Sequence, residues 1–151
     1  MGPRLGACWL LLLAQTVLAV PAAHANEVAD PDAWIAQVRG LIERGEPGGL
    51  RDVLPAAVMP QQREQTRETA RQTVGPLVGF VGERRPAYVD TVQDVRHGTT
   101  FRRLTLSAWY EGLDFVFYAF DFFRLERGWA LRSFSFNSDF AEIMARPLPD
   151  P

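Results

Sequence analysis

The chain has 151 residues, of which 16 are basic and 18 acidic, giving a formal net charge of −2. Every basic residue is an arginine, and basic and acidic positions alternate along the chain, so no concentrated basic surface for nucleic acid or an anionic membrane is expected. The one cysteine, Cys8, and one of the two histidines, His24, fall within the first 25 residues. The remainder therefore has neither a disulfide nor thiol chemistry, and His97 alone excludes a histidine-rich metal site.

The N-terminus reads as a cleaved signal peptide over residues 1–25. Arg4 supplies the positive start, Cys8 to Val20 the apolar run, and Ala23-His24-Ala25 the small-x-small cleavage signal. The apolar run is shorter than the roughly twenty residues that span a bilayer. A soluble periplasmic or secreted protein beginning near Asn26 follows, with no stable membrane insertion once the signal is removed. Residues 26–146 suit a single α+β domain with one core, and residues 147–151 a proline-rich tail.

Asp30-Pro31-Asp32 has the chemistry of a helix start: an N-cap, proline at the first helical position and an acid at the positive end of the dipole. Trp34, Ile35, Val38, Leu41 and Ile42 recur at helical spacing, and Gly45 ends the run. Beyond Pro47-Gly48-Gly49, a short helical turn around Leu50, Val53 and Leu54 ends at Pro55. Met59-Pro60 opens a polar helix with a thin apolar side, along which Arg63, Arg67 and Arg71 lie one turn apart. That arginine ridge is read as a solvated helix face, with anion binding as the alternative. Gly75-Pro76 is expected to interrupt the helix, and residues 76–82 to form a second apolar piece.

From Tyr88 the period changes to two. Runs at 87–96, 101–110, 113–124 and 129–136 read as strands, separated by glycine-containing turns too short for crossovers. Neighbours must be antiparallel. Ser138-Asp139 then caps a short C-terminal helix. The result is an α+β fold: N-terminal helices packed on one face of a four-stranded antiparallel meander.

A tight Glu111-Gly112 turn, with Tyr110 opposite Leu113, proposes a register. One face then holds Leu104, Leu106, Ala108, Phe115, Phe117, Ala119, Phe134 and Phe136, and is assigned to the helices. The other holds Arg103, Thr105, Ser107, Trp109, Val116, Tyr118, Phe120, Phe122, Leu131, Ser133 and Ser135. Two readings apply to it: a half-exposed face with scattered aromatics, or a contact surface, in its simplest form a homodimer interface through Trp109, Tyr118, Phe120 and Phe122. The same register puts Asp121 between Arg102 and Arg132 on the core side, and Asp94 opposite Arg103 outside. The triplet reads either as a structural ion cluster or as the wall of a pocket, with Tyr110 nearby, whose arginines await a small anionic ligand.

Catalytic signals are sparse. His97 sits in a turn with no nucleophile elbow near it, and the pairs Asp90/Asp94 and Asp114/Asp121 have no spacing that singles them out for acid–base work. Nothing in the sequence asks for a cofactor or a metal.

GPLVGFVGERR after a helix, the Phe101–Tyr110 strand, DFVFYAFDFFRLERGW and ALRSFSFNSD together resemble small exported bacterial proteins of the NTF2-like/cystatin-like group. The resemblance covers residues 75–139. It implies a curved sheet wrapped on helices with a pocket between them, and carries over no catalytic residue. The expected function is an exported binding or interaction protein, non-enzymatic. The alternative is a cofactor-free isomerase or dehydratase working from Asp121 and Tyr110.

Overall fold

Asp30 caps the first helix as its sequence predicts: its backbone is extended and its carboxylate accepts the Asp32 N–H at 2.9 Å, with Pro31 at the first helical position. The computed structural model describes residues 28–145. The expected signal peptide and the tail at 147–151 lie outside the described residues. Helix α1 spans Pro31–Glu43, and the chain leaves it through Gly45, whose φ of 74° is readily reached only without a Cβ. A single 3₁₀ turn at Pro47–Gly49 leads into α2, Leu50–Ala56, and a second at Pro60–Gln62 leads into α3, Arg63–Val81.

Helix α3 differs from expectation in running through Gly75-Pro76 without interruption. Proline forfeits one helical hydrogen bond and normally pushes the preceding residue out of the α region, because its Cδ meets that residue's Cβ. Gly75 has no Cβ, so the second penalty is relieved. The inner stripe Ala70, Val74, Leu77 and Val81 stays in register on both sides of the proline and is buried throughout. Continuous burial of that stripe outweighs one missing bond.

Four strands follow: β1 (Tyr88–His97), β2 (Phe101–Trp109), β3 (Phe115–Arg124) and β4 (Trp129–Asn137). They form one antiparallel sheet in the order β1-β2-β3-β4, and a short helix α4 (Phe140–Met144) closes the described chain. Helices first, then a four-stranded meander, is the α+β architecture expected from the sequence. Among the described residues no helix is long and apolar enough to cross a membrane.

The register between β2 and β3 corrects the sequence expectation. Trp109, not Tyr110, is the last paired residue, and it faces Phe115. Tyr110 to Asp114 form a longer connection, closed by Leu113 N–H to Tyr110 O at 3.1 Å and Tyr110 N–H to Asp114 O at 3.2 Å, with Gly112 at φ 76°. The side-chain period of a strand is two, so this slip of one residue turns all of β3 over. Val116, Tyr118, Phe120 and Phe122 pack under the helices with Leu104, Leu106 and Ala108, whereas Phe115, Phe117 and Ala119 face the other way. The physical reason lies in Asp121. In the observed register its buried carboxylate lies between Arg103 and Ser133, which give it the three hydrogen bonds that a buried ionised group needs. Of the even-numbered set of β3, Val116, Tyr118, Phe120 and Phe122 carry no charge, and the one charged member, Arg124, is exposed at the strand's end.

Two bulges adjust the sheet further. Between Asp121 and Phe122 the partner strand skips from Ser133 to Leu131, so Arg132 is the extra residue and the parity of β4 changes there. Leu131 thereby joins the core below the bulge, and Phe134 and Phe136 join it above. Phe134 and Phe136 thus lie on the core face as expected, but opposite Phe120 and Tyr118. Leu131 is corrected from the outer face to the core. A second bulge at Thr91/Gln93 sends Gln93 outward opposite Thr105 and brings Asp94 to the helix face opposite Leu104.

The main core lies between the helices and the sheet. Val38 and Ile42 of α1, Leu50 and Leu54 of α2, Val74 of α3, and Leu106, Tyr118, Phe120 and Phe122 of the sheet are all fully buried. Trp34 fills the space between α1 and the sheet, edge-on to Phe120 and Phe122 at ring-centre distances of 5.2 and 5.3 Å. On the opposite face α4 covers a smaller cluster: Ile143 packs on Phe117 and Ala119, and the Phe140 ring lies 5.0 Å from that of Phe117.

Candidate functional site

The four residues expected around one pocket are distributed over three environments. Arg102 lies on the helix face near the start of β2, an inner strand, and is 4 % exposed. Its guanidinium donates to both oxygens of Asp94, at 2.9 Å each, and to both oxygens of Asp32 at the start of α1, at 2.6 and 3.0 Å. The Asp94 hydrogen bond, then that of Asp32, drives the Arg102 pKa above its ordinary value against the opposing effect of burial. Asp94 is in turn held below the usual carboxylate range, chiefly by its hydrogen bond from Arg102. Arg102 thus clamps α1 to β1, and its donors on these carboxylates are committed.

Asp121 lies on the other face of the sheet. Arg103 donates to it from Nε at 2.6 Å and from a terminal nitrogen at 3.0 Å, and Ser133 Oγ adds a third bond at 2.7 Å. The expected partners Arg102 and Arg132 are corrected accordingly: the slipped register puts Arg103 opposite Asp121, and the bulge turns Arg132 aside. The Arg132 guanidinium stacks 5.0 Å above the Phe123 ring. Tyr110 is buried in the main core, where its hydroxyl meets that of Tyr118 at 3.0 Å. Burial raises the pKa of both phenols. Asp121 and Tyr110 therefore sit on opposite faces of the sheet and cannot act on one substrate.

The contact face expected from Trp109, Tyr118, Phe120 and Phe122 is corrected in the same way. The slip carries Tyr118, Phe120 and Phe122 under the helices, and Trp109 alone remains outside. There it packs on Phe115 at a ring-centre distance of 4.7 Å, with Tyr88 6.2 Å from Phe115 on the neighbouring edge.

A concave surface forms elsewhere, between the second half of α3 and the end of the sheet. Thr73, Pro76, Leu77 and Phe80 make one wall, and Val116, Phe136, Asn137 and Ser138 the other, around about 200 Å³ of open space. Thr73, Pro76 and Phe80 are spaced at i, i+3 and i+7, a second stripe beside the buried one, so they share one side of the helix. Phe80 is 47 % exposed at the rim. The walls are apolar, and the polar groups of Asn137 and Ser138 lie at one end. Such a groove can accept a hydrocarbon group and orient it through a hydrogen bond at that end. Its volume suits one side chain or a short alkyl chain, since pockets for drug-sized ligands measure roughly 300–1,000 Å³.

The residues of this groove were legible only in part. Residues 76–82 were recognisable as apolar, and a helix interrupted at Gly75-Pro76 would have hidden the stripe that crosses the break. A large aromatic outside the buried stripe, Phe80, is the signal that could have found it. Comparisons with protein-family models, curated proteins and solved structures return no match for this chain.

Proposed function

We propose that the protein is a non-enzymatic binding or interaction protein, exported as its N-terminal segment suggests, whose contact site is the groove between α3 and the sheet. The supporting observation is the apolar concavity itself, with Phe80 at its rim and Asn137 and Ser138 at its end. It keeps the pocket between helices and sheet that the NTF2-like/cystatin-like resemblance implies, and moves it from Asp121 to the α3–β4 side. The ligand is an apolar side chain or short alkyl chain bearing one polar group. Titration with octanol, followed by amide chemical shifts, tests this reading. Saturable shifts grouped at Thr73, Phe80 and Asn137, weakened about tenfold in Phe80→Ser, are expected; shifts that do not saturate, or that ignore Phe80→Ser, defeat it.

A second reading is self-association through the outer sheet face, favoured by the strip of Tyr88, Trp109 and Phe115, in which Tyr88 is 47 % exposed. Light scattering across a concentration series tests it. A mass that rises with concentration and falls back in Trp109→Arg is expected, and a constant monomer mass excludes it.

A further inference from the structure

Arg63, Arg67 and Arg71 stand one turn apart on α3, yet the fold treats them differently. Arg71 reaches Glu68 at 3.5 Å with two-thirds of its side chain in solvent. Arg63 and Arg67 instead line a cavity of about 220 Å³ that they share with Asp52, Pro55 and Ala56 of α2. The Arg63 Nε is buried there without a hydrogen-bond partner. Arg67 gives one nitrogen to Glu64 at 3.0 Å, a carboxylate that is 82 % exposed and easily exchanged for another acceptor.

We propose that this cavity binds a small oxyanion, a carboxylate or a phosphate, held by the guanidinium groups of Arg63 and Arg67. A buried N–H left unpaired is costly, and most such groups in folded proteins find an acceptor. Guanidinium groups present their donors in a planar fork that matches two oxygens of one anion, and the apolar wall of Pro55 and Ala56 lowers the local dielectric in which they act. Asp52 shapes the preference. It lines the same space, and its charge opposes a highly charged anion while leaving the site with a net positive balance. A monoanion is therefore favoured, or a ligand that turns a hydroxyl or ammonium group towards Asp52. This site is separate from the α3–β4 groove and stands or falls independently of it.

Calorimetric titration of the full chain in chloride buffer, with inorganic phosphate in one series and acetate in another, tests the proposal. Saturable binding of one or both at a single site is expected, and the series that saturates identifies the oxyanion. Arg63→Gln and Arg67→Gln should each weaken it at least tenfold, Arg71→Gln should leave it unchanged, and Asp52→Asn should tighten it. Arg67 is exposed, so Arg67→Gln keeps the fold and its loss of binding reports on the site itself. Absence of saturable binding in both series, or binding that survives both Arg63→Gln and Arg67→Gln, overturns the proposal.

Discussion

Arg103 and Asp121 face each other directly across β2 and β3, joined by two hydrogen bonds of 2.6 and 3.0 Å on the sheet face turned away from α1–α3. Their side chains are 6 % and 9 % exposed. A buried pair of this kind contributes little relative to an apolar pair, but losing one partner is costly because the other charge stays buried. Asp121→Ala should therefore destabilise the protein by about 3–5 kcal/mol. Arg103→Met combined with Asp121→Leu should recover part of that loss. Urea denaturation of the three proteins decides the matter, and a single-variant loss below about 1 kcal/mol would show that the pair is not structural.

The Arg102 clamp predicts an acid response. Asp94 has a depressed pKa in the folded protein, relative to an ordinary value of 3.8. Its contribution is fully present above that ordinary value and is lost as pH falls through the lower folded value, where protonation breaks its bonds to Arg102. Thermal midpoints measured from about pH 5 to about pH 2 should fall more steeply for the native chain than for Asp94→Asn. Equal slopes would assign the acid sensitivity to other carboxylates.

The Tyr110–Tyr118 hydroxyl pair predicts the opposite limb. Both phenols have folded pKa values raised above the ordinary 10.0 by burial. A raised value means that the stabilising contribution is complete below pH about 10 and is lost as pH rises above it, because the unfolded chain releases these protons first. Tyrosinate absorbance from these two residues should appear only together with loss of the near-ultraviolet circular dichroism signal. Ionisation of Tyr118 in a protein that is still folded would contradict its complete burial.

Trp34 closes the space between α1 and the sheet against Phe120 and Phe122. Trp34→Ala should cost about 3–5 kcal/mol, as large-to-small changes of buried aromatics do, and Trp34→Phe clearly less. Calorimetric unfolding of both variants measures the difference. A loss under about 1 kcal/mol for Trp34→Ala would mean that the cavity collapses around the missing ring.

Much of the architecture was legible locally. Asp30-Pro31-Asp32 carries its own capping chemistry, and the apolar spacing of Trp34, Ile35, Val38 and Ile42 produces the buried face of α1 seen in the fold. The turn glycines and the alternation after Tyr88 locate all four strands to within two residues. The proposed site was less accessible. The groove combines Pro76 and Phe80 with Val116 and Phe136, residues whose proximity depends on how α3 crosses the sheet. The Arg63–Arg67 cavity requires Pro55 and Ala56 from a different helix.

Apart from the break expected at Gly75-Pro76, where α3 runs on, order and type of the elements came from the sequence by itself, because caps, turns and periodicity act between residues a few positions apart. The tertiary structure decided which side of β3 is inside. An aromatic on both sides of that strand makes both parities locally acceptable, and a connection of five residues, Tyr110 to Asp114, in place of the expected two exchanges them. Only packing beneath three helices distinguishes the uncharged set Val116, Tyr118, Phe120 and Phe122 from the set that contains Asp121, and with that choice Asp121 pairs with Arg103 while Arg102 is left to hold Asp32 and Asp94.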